Sequence, residues 1–351
     1  MIKLPVFGVE ALSCLLFYAP AAIGKTSGNK TVFVGAIRGA YQLASPANST
    51  KLRATGQAGL FLTTLGLSHA LFTNLEDWNG SDTTAQGIVN AFSHTDPGIL
   101  EGNLDHSTTP SVPAQHWNYT RPDDWQQWAA RLGWKPSIFL LNMNAHGTAA
   151  TSLYTAEDVQ DVLSGSKDIR KSAPYVKFVL PYLSPNAGVY GSWAKDAYWS
   201  TARQLAITQG GFVVDVPVGY YLRNTLAYQK VVKDQITWAV RHKLIVGVLL
   251  SPCSTNPRDW AIAHSCSFSP DPYFMASTKR IVTELEAAHA VPTMWLIDNY
   301  SEQSGSPYPG TDNKNSASYN PNTILAVGLW IAENAKTSPY PLSASAVVRS
   351  E

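Results

Sequence analysis

Charge is scarce in this chain. Asp, Glu, Lys and Arg make up 15% of its 351 residues, against about 25% in ordinary soluble domains. The two signs nearly cancel, 26 basic against 25 acidic, for a net charge of +1. No protein-wide field would gather a polyanion, which excludes nucleic acid as the expected partner. Cysteine is almost absent, with 3 in the chain, so no disulfide framework carries the fold. No apolar run after the first residues reaches the roughly 18 needed to cross a bilayer, so no later membrane span is expected. The sequence has no GxGxxG after its first predicted strand, no GxSxG, no HExxH, no HxH pair and no Asp-rich calcium loop. Those absences weigh against a dinucleotide, a serine nucleophile and a metal, so no cofactor and no metal are expected. The one GKT, at Gly24 to Thr26, lacks the upstream glycine of a phosphate loop.

Apolar and aromatic residues are plentiful. Hydrophobic residues are 45%, which rules out disorder as the main state. There are 11 Trp and 16 Tyr, and no Trp precedes Trp78. Some of these fill a core. A surplus of this size also suits a surface that stacks on sugar rings, whose C–H faces are apolar while their hydroxyls need polar partners. Length alone suggests about two domains, but one α/β barrel spans about 250 residues or more.

The N-terminus reads Met-Ile-Lys, then an apolar stretch from Leu4 to about Ile23, with Ala19, Ala21 and Ala22 before a polar run. This pattern reads as a secretory signal over residues 1–22, with a retained anchor as the alternative because Glu10 interrupts it. A secreted or periplasmic location follows. Two cysteines then remain, Cys253 and Cys266, in one polar stretch containing proline. In an exported protein they suggest a disulfide closing a short loop; a metal site with His264 is the rival reading.

From about residue 123 a helix-period segment, a break and a short apolar run recur. The strands so predicted are 137–144, 176–183, 211–218, 244–251 and 291–298; helices are expected over 155–173, 194–208, 228–242 and 272–289. Earlier, 31–39 and 68–76 read as the first two strands, 79–120 as a long loop, and 323–333 as an eighth strand or a final helix. Strands separated by helices are parallel, because each helix carries the chain back across the sheet. The fold class is therefore α/β: a (β/α)8 barrel with long loops at the C-terminal face of its strands, an open doubly wound sheet being the alternative. It occupies one domain over residues 23–340, with a tail at 341–351 that is loose from about Lys336.

In such a barrel the chemistry sits where the strands end. Those ends carry Arg38, then Asn74-Leu-Glu76-Asp77-Trp78, then Asn142, Asn144 and His146, then Tyr182 and Asn186. Later ends carry Asp215 with Tyr220 and Tyr221, then Ser251, then Asp298, Asn299, Tyr300 and Glu302. Asp298 shares the face of Met294 and Leu296 by alternation, and Asp215 is set among valines, where a carboxylate needs a partner or a changed pKa. Asp298, Asp215 and Glu76 are the candidate catalytic carboxylates. Arg38, Asn142, Asn144, His146, Asn186, Asn299 and Glu302 are candidate substrate ligands. Trp78, Tyr182, Tyr220 and Tyr300 are candidate sugar platforms. Trp125, Trp128, Trp238 and Trp260 read as packing residues in helices or outer loops.

The export signal, the βα array, the acidic strand ends and the Trp/Tyr surplus together resemble the secreted (β/α)8-barrel glycoside hydrolases, over about residues 31–335. The resemblance implies a carbohydrate substrate. It also implies two carboxylates, one protonating the departing oxygen and one attacking the anomeric carbon or activating water. The chain departs from the pattern at one point. Many such barrels carry an Asn-Glu pair at the end of strand four, whereas the fourth strand predicted here ends Pro-Tyr-Leu-Ser-Pro-Asn. A second reading is thus a carbohydrate-binding or polysaccharide-assembly barrel without catalysis. A third is another barrel hydrolase or lyase using His146 with Arg38 or a carboxylate.

Overall fold

The computed structural model describes residues 32–35, 69–72, 96–104, 138–143, 154–183, 192–223, 226–252, 255–256, 259–263, 272–297 and 314–339. Its strands are β1 (Val32–Gly35), β2 (His69–Phe72), β3 (Asp96–Leu104), β4 (Ile138–Met143), β5 (Phe178–Leu183), β6 (Gly211–Pro217), β7 (Ile245–Ser251), β8 (Thr255–Asn256), β9 (Asp259–Ala263) and β10 (Met294–Ile297). The helices are α1 (Ala156–Ser172), α2 (Ser200–Gln209), α3 (Val218–Arg223), α4 (Leu226–Arg241), α5 (Phe274–Ala287) and α6 (Ile324–Asn334).

Five strands, in the order β4-β5-β6-β7-β10, form a parallel sheet curled into a half-barrel. Backbone pairing continues past both ends: β1 pairs with β10 and with β2, and β3 pairs with β2 and with β4, all parallel.

Alternation along each strand sorts its side chains to two faces. Ile138, Leu140, Phe178, Leu180, Tyr182, Val213, Ile245, Leu249, Met294 and Leu296 form one buried cluster, the filling of the concave side. Their neighbours Phe139, Leu141, Val179, Phe212, Val214, Val216, Val246, Val248 and Trp295 join the helices in a second cluster. Strands buried on both faces read as continuous apolar runs, which is why these segments stood out in the sequence. Each fully buried Val, Leu, Ile or Phe contributes about 1.5–3 kcal/mol.

The helices start and stop where the local chemistry dictates. Thr155 Oγ1 accepts from the Asp158 amide at 3.1 Å, and the Asp158 carboxylate accepts from the Thr155 amide at 2.6 Å, a reciprocal capping box for α1. We expect Thr155→Ala to cost about 1 kcal/mol, read from chemical denaturation. Gly210 ends α2 with φ 79°, the left-handed turn that glycine adopts without a Cβ clash. Beneath α2, Trp193 packs on Trp199 and Phe212 and edge-on to Trp238, with centroids at 5.2, 5.6 and 5.6 Å.

Several expectations change. The stretch 79–120 is not one loop, because β3 crosses it. Pro97, Gly98 and Gly102 lower its strand propensity, and its neighbours in the sheet supply what propensity lacks. Residues 323–333 belong to a helix, α6, begun by Thr323 Oγ1 accepting from the Ala326 amide at 3.3 Å. The polar stretch after β7 contains the antiparallel hairpin β8–β9, so Trp260 lies on a strand. The chain stays fastened beyond Lys336: Trp295 Nε1 donates to the Lys336 carbonyl at 2.9 Å, and Ser338 N to that of Pro292 at 2.7 Å.

Candidate active site

Register places Asp215. Val213 lies opposite Gly247 and Gly247 opposite Met294; two residues on, Asp215 lies opposite Leu249 and Leu249 opposite Leu296. Val213, Leu249, Met294 and Leu296 all belong to the concave filling. Asp215 therefore points to the same side, one layer nearer the C-terminal ends than Val213. Its flanking residues Val214 and Val216 point to the helices. Asp215 is 9% exposed, against 0% for Val213, Leu249 and Leu296 around it. Among the residues of β4, β5, β6, β7 and β10 it is the one carboxylate. Ser251, 3% exposed, stands one layer further out on β7, opposite Pro217.

A tyrosine cluster seats the end of β6. The short helix α3 and the start of α4 bring Tyr220 and Tyr221 against Tyr228, with ring centroids at 5.1 Å and 6.2 Å in edge-on geometry. The Tyr228 hydroxyl lies 3.5 Å from the Asp215 carbonyl oxygen. Burial first, then the Asp215 carboxylate, hold the Tyr228 phenol well above its ordinary pKa. Arg223 lies over the Tyr220 ring, 5.8 Å from its centroid. Tyr221 is also pushed up, by burial and then by the Glu284 carboxylate, with Arg280 opposing. On the neighbouring strand the Tyr154 hydroxyl donates to the Tyr182 carbonyl at 3.2 Å, and burial raises the Tyr154 phenol.

These three phenols have a stability consequence. Each has a folded pKa raised above the unfolded value near 10. The folded chain therefore holds protons that the unfolded chain releases above that pH, so stability is full below it and falls as pH rises through it. Alkaline unfolding is expected to begin above about pH 10, with tyrosinate absorbance from these residues appearing only with unfolding. Tyr228→Phe should shift the onset to higher pH; tyrosinate absorbance that precedes loss of structure would refute the assignment.

The other sequence-predicted residues fall unevenly. Tyr182 is 3% exposed at the upper margin of the concave filling, part of the floor rather than an open platform. Tyr220 lies on α3 in the tyrosine cluster. Asn142 is on β4, paired in register with Tyr182. Arg38, Glu76, Trp78, Asn144, His146, Asn186, Asp298, Asn299, Tyr300, Glu302, Cys253 and Cys266 lie outside the described residues, as does the expected signal over 1–22. Tyr228 escaped the sequence reading. It opens a helix, and only the turn through α3 brings it back to Asp215. Among the described residues no group of His, Cys, Asp and Glu is placed to hold a metal ion, and no helix is long and apolar enough to cross a membrane.

No protein-family profile matches the chain, and no curated protein matches it in sequence. In overall fold it is similar to solved barrel enzymes. The catalytic domain of the GH26 endo-beta-1,4-mannanase of Bacillus sp. JAMB-750 covers 91% of this chain and 89% of its own, at 10% identity and a TM-score of 0.48. The GH5-4 broad specificity endoglucanase of Clostridium acetobutylicum covers 85% of this chain and 96% of its own, at 14% identity and 0.44. The aldo-keto reductase AKR11C1 of Bacillus halodurans covers 90% and 89%, at 9% identity and 0.39. Fold does not carry function with it, so the chemistry rests on the side chains.

Proposed function

We propose that this chain is an exported glycoside hydrolase and that β1, β2 and β3 close the half-barrel into a (β/α)8 barrel. The observation that carries the reading is the inward, layer-capping position of Asp215 at the C-terminal end of β6. That is where barrel enzymes place reacting groups. Asp298 follows β10 by one residue, two positions beyond the inward Leu296. Asp215 and Asp298 are the proposed carboxylate pair at a scissile glycosidic bond. One protonates the departing oxygen; the other attacks the anomeric carbon or takes a proton from the attacking water. Glu76 is the reserve carboxylate. The polar strand-end residues from Arg38 to Glu302 would ligate sugar hydroxyls.

The domain is taken to span 23–340 after removal of residues 1–22.

One observation favours the second reading, a sugar-binding barrel without turnover. With β3 counted, the fourth strand is β4, and its end reads Asn142-Met-Asn-Ala-His146. It carries no carboxylate, just as β5 carries none. The experiment is release of new reducing ends from a panel of neutral and acidic polysaccharides by the full chain. Release supports the hydrolase; retention of a polysaccharide without release from any substrate overturns it in favour of binding.

A further inference from the structure

A second concave feature lies on the outside of the half-barrel. A groove of about 780 Å³ crosses the outer face of α2, from the first turn of α1 to the last turn of α4. It lies on the helix side of the sheet, opposite the face that Asp215 joins. Its size is that of a small-molecule site, though it is open rather than enclosed.

The lining chemistry restricts the ligand. Gln160 and Gln204 present exposed amides, which both donate and accept. Ile207, 48% exposed, gives an apolar step between them and Trp238. The Trp238 and His242 rings lie 4.4 Å apart at 34°, and His242 Nδ1 is fixed 2.8 Å from the Trp238 carbonyl oxygen. Together they make a rigid, half-open aromatic shelf backed by Trp193 and Phe212. Among the described lining residues the guanidinium is that of Arg203, whose Nη1 donates to the Trp193 and Asp196 carbonyl oxygens. Among the described lining residues there is no carboxylate. Amides beside an aromatic shelf and an aliphatic step suit a neutral ligand with hydroxyls on its edges and C–H groups on its faces.

We propose that this groove is a second saccharide site, binding a neutral oligosaccharide away from the barrel mouth. It holds a sugar chain against the body of the protein whether or not the mouth cleaves one.

The test follows the Trp238 indole N–H resonance of the full chain, assigned by its loss in Trp238→Phe. Neutral oligosaccharides of glucose, mannose and xylose are added in turn. At least one should shift the resonance in the wild type and in Asp215→Asn. Gln204→Ala combined with His242→Ala, both at exposed positions, should weaken that binding about tenfold. The double variant should still release reducing ends from short soluble substrates at the wild-type rate. The proposal is overturned if no saccharide moves the resonance, if only an apolar probe does, or if the double variant binds as the wild type. A Trp238 shift without any reducing-end release would support this site while overturning the proposed hydrolase.

Discussion

Asp215→Asn is expected to lower reducing-end release by about a thousand-fold while leaving the chain folded. Asn keeps the shape of the side chain and removes its charge and its proton-transfer capacity. Asp215 is buried on the concave side of the sheet at 9% exposure. Asn is spared the desolvation cost of a buried charge but gives up the interactions that charge makes, so the melting temperature of the variant reads how far the two offset. The combination is diagnostic. A structural carboxylate, once removed, leaves its partners unsatisfied and lowers stability. A catalytic one leaves activity gone and the fold intact. Release within threefold of the wild type, in a folded Asp215→Asn, would end the case for Asp215. Asp298→Asn should fall comparably if it is the partner carboxylate.

The second large effect is on stability, at two glycines that face different obstacles. A Cβ on Gly211 would collide with the Ile245 carbonyl oxygen and lie 2.8 Å from the Ile245 Cβ. The oxygen is main chain in the sheet, and the Ile245 amide itself donates to the Gly210 carbonyl at 3.0 Å. Relief would require β6 and β7 to separate where they enter the sheet. Gly211→Ala should therefore cost about 3 kcal/mol or more. A Cβ on Gly247 would instead meet the ends of Leu296, Met294 and Val213 at 2.7, 2.9 and 3.0 Å. Those are concave-side chains with some freedom to turn, so Gly247→Ala should cost less, about 1–3 kcal/mol. Urea denaturation of both variants ranks them. A Gly247→Ala loss exceeding that of Gly211→Ala would show that the filling above Gly247 is stiffer than the β6–β7 ladder.

Much of this architecture is written in local patterns. Continuous apolar runs at 176–183, 211–218 and 244–251 mark strands buried on both faces, and the structure places β5, β6 and β7 there. The capping box at Thr155 and the glycine after Gln209 are short-range signals that locate helix ends within a residue or two. The β3 strand was not legible. A segment reading Asp-Pro-Gly-Ile-Leu-Glu-Gly-Asn-Leu has neither alternation nor an apolar run. Its strand conformation depends on hydrogen-bonding partners at His69 to Phe72 and Ile138 to Met143, which are far away in sequence. The segment 323–333 was ambiguous for the opposite reason. It is apolar throughout, and period alone does not separate a buried strand from a buried helix.

The site divides in the same way. That Asp215 is an anomaly among valines follows from neighbours in the chain, and so does the parity it shares with Val213. Which parity faces inward is a property of the curled sheet. It was settled only when Val213, Gly247 and Met294 came into one layer and Phe212, Val214 and Val216 met the helices. Tyr228 belongs to Asp215 through a turn of helix α3 that no periodicity announces. By itself the sequence determined the α/β class, the parallel strands of the second half, their helix boundaries and the carboxylate at the end of β6, because these follow from periodicity and capping within a few residues. The tertiary structure alone decided the strand at 96–104, the helix at 324–334, the inward face of Asp215 and the outer groove beside Trp238, because each depends on partners brought together across long stretches of chain.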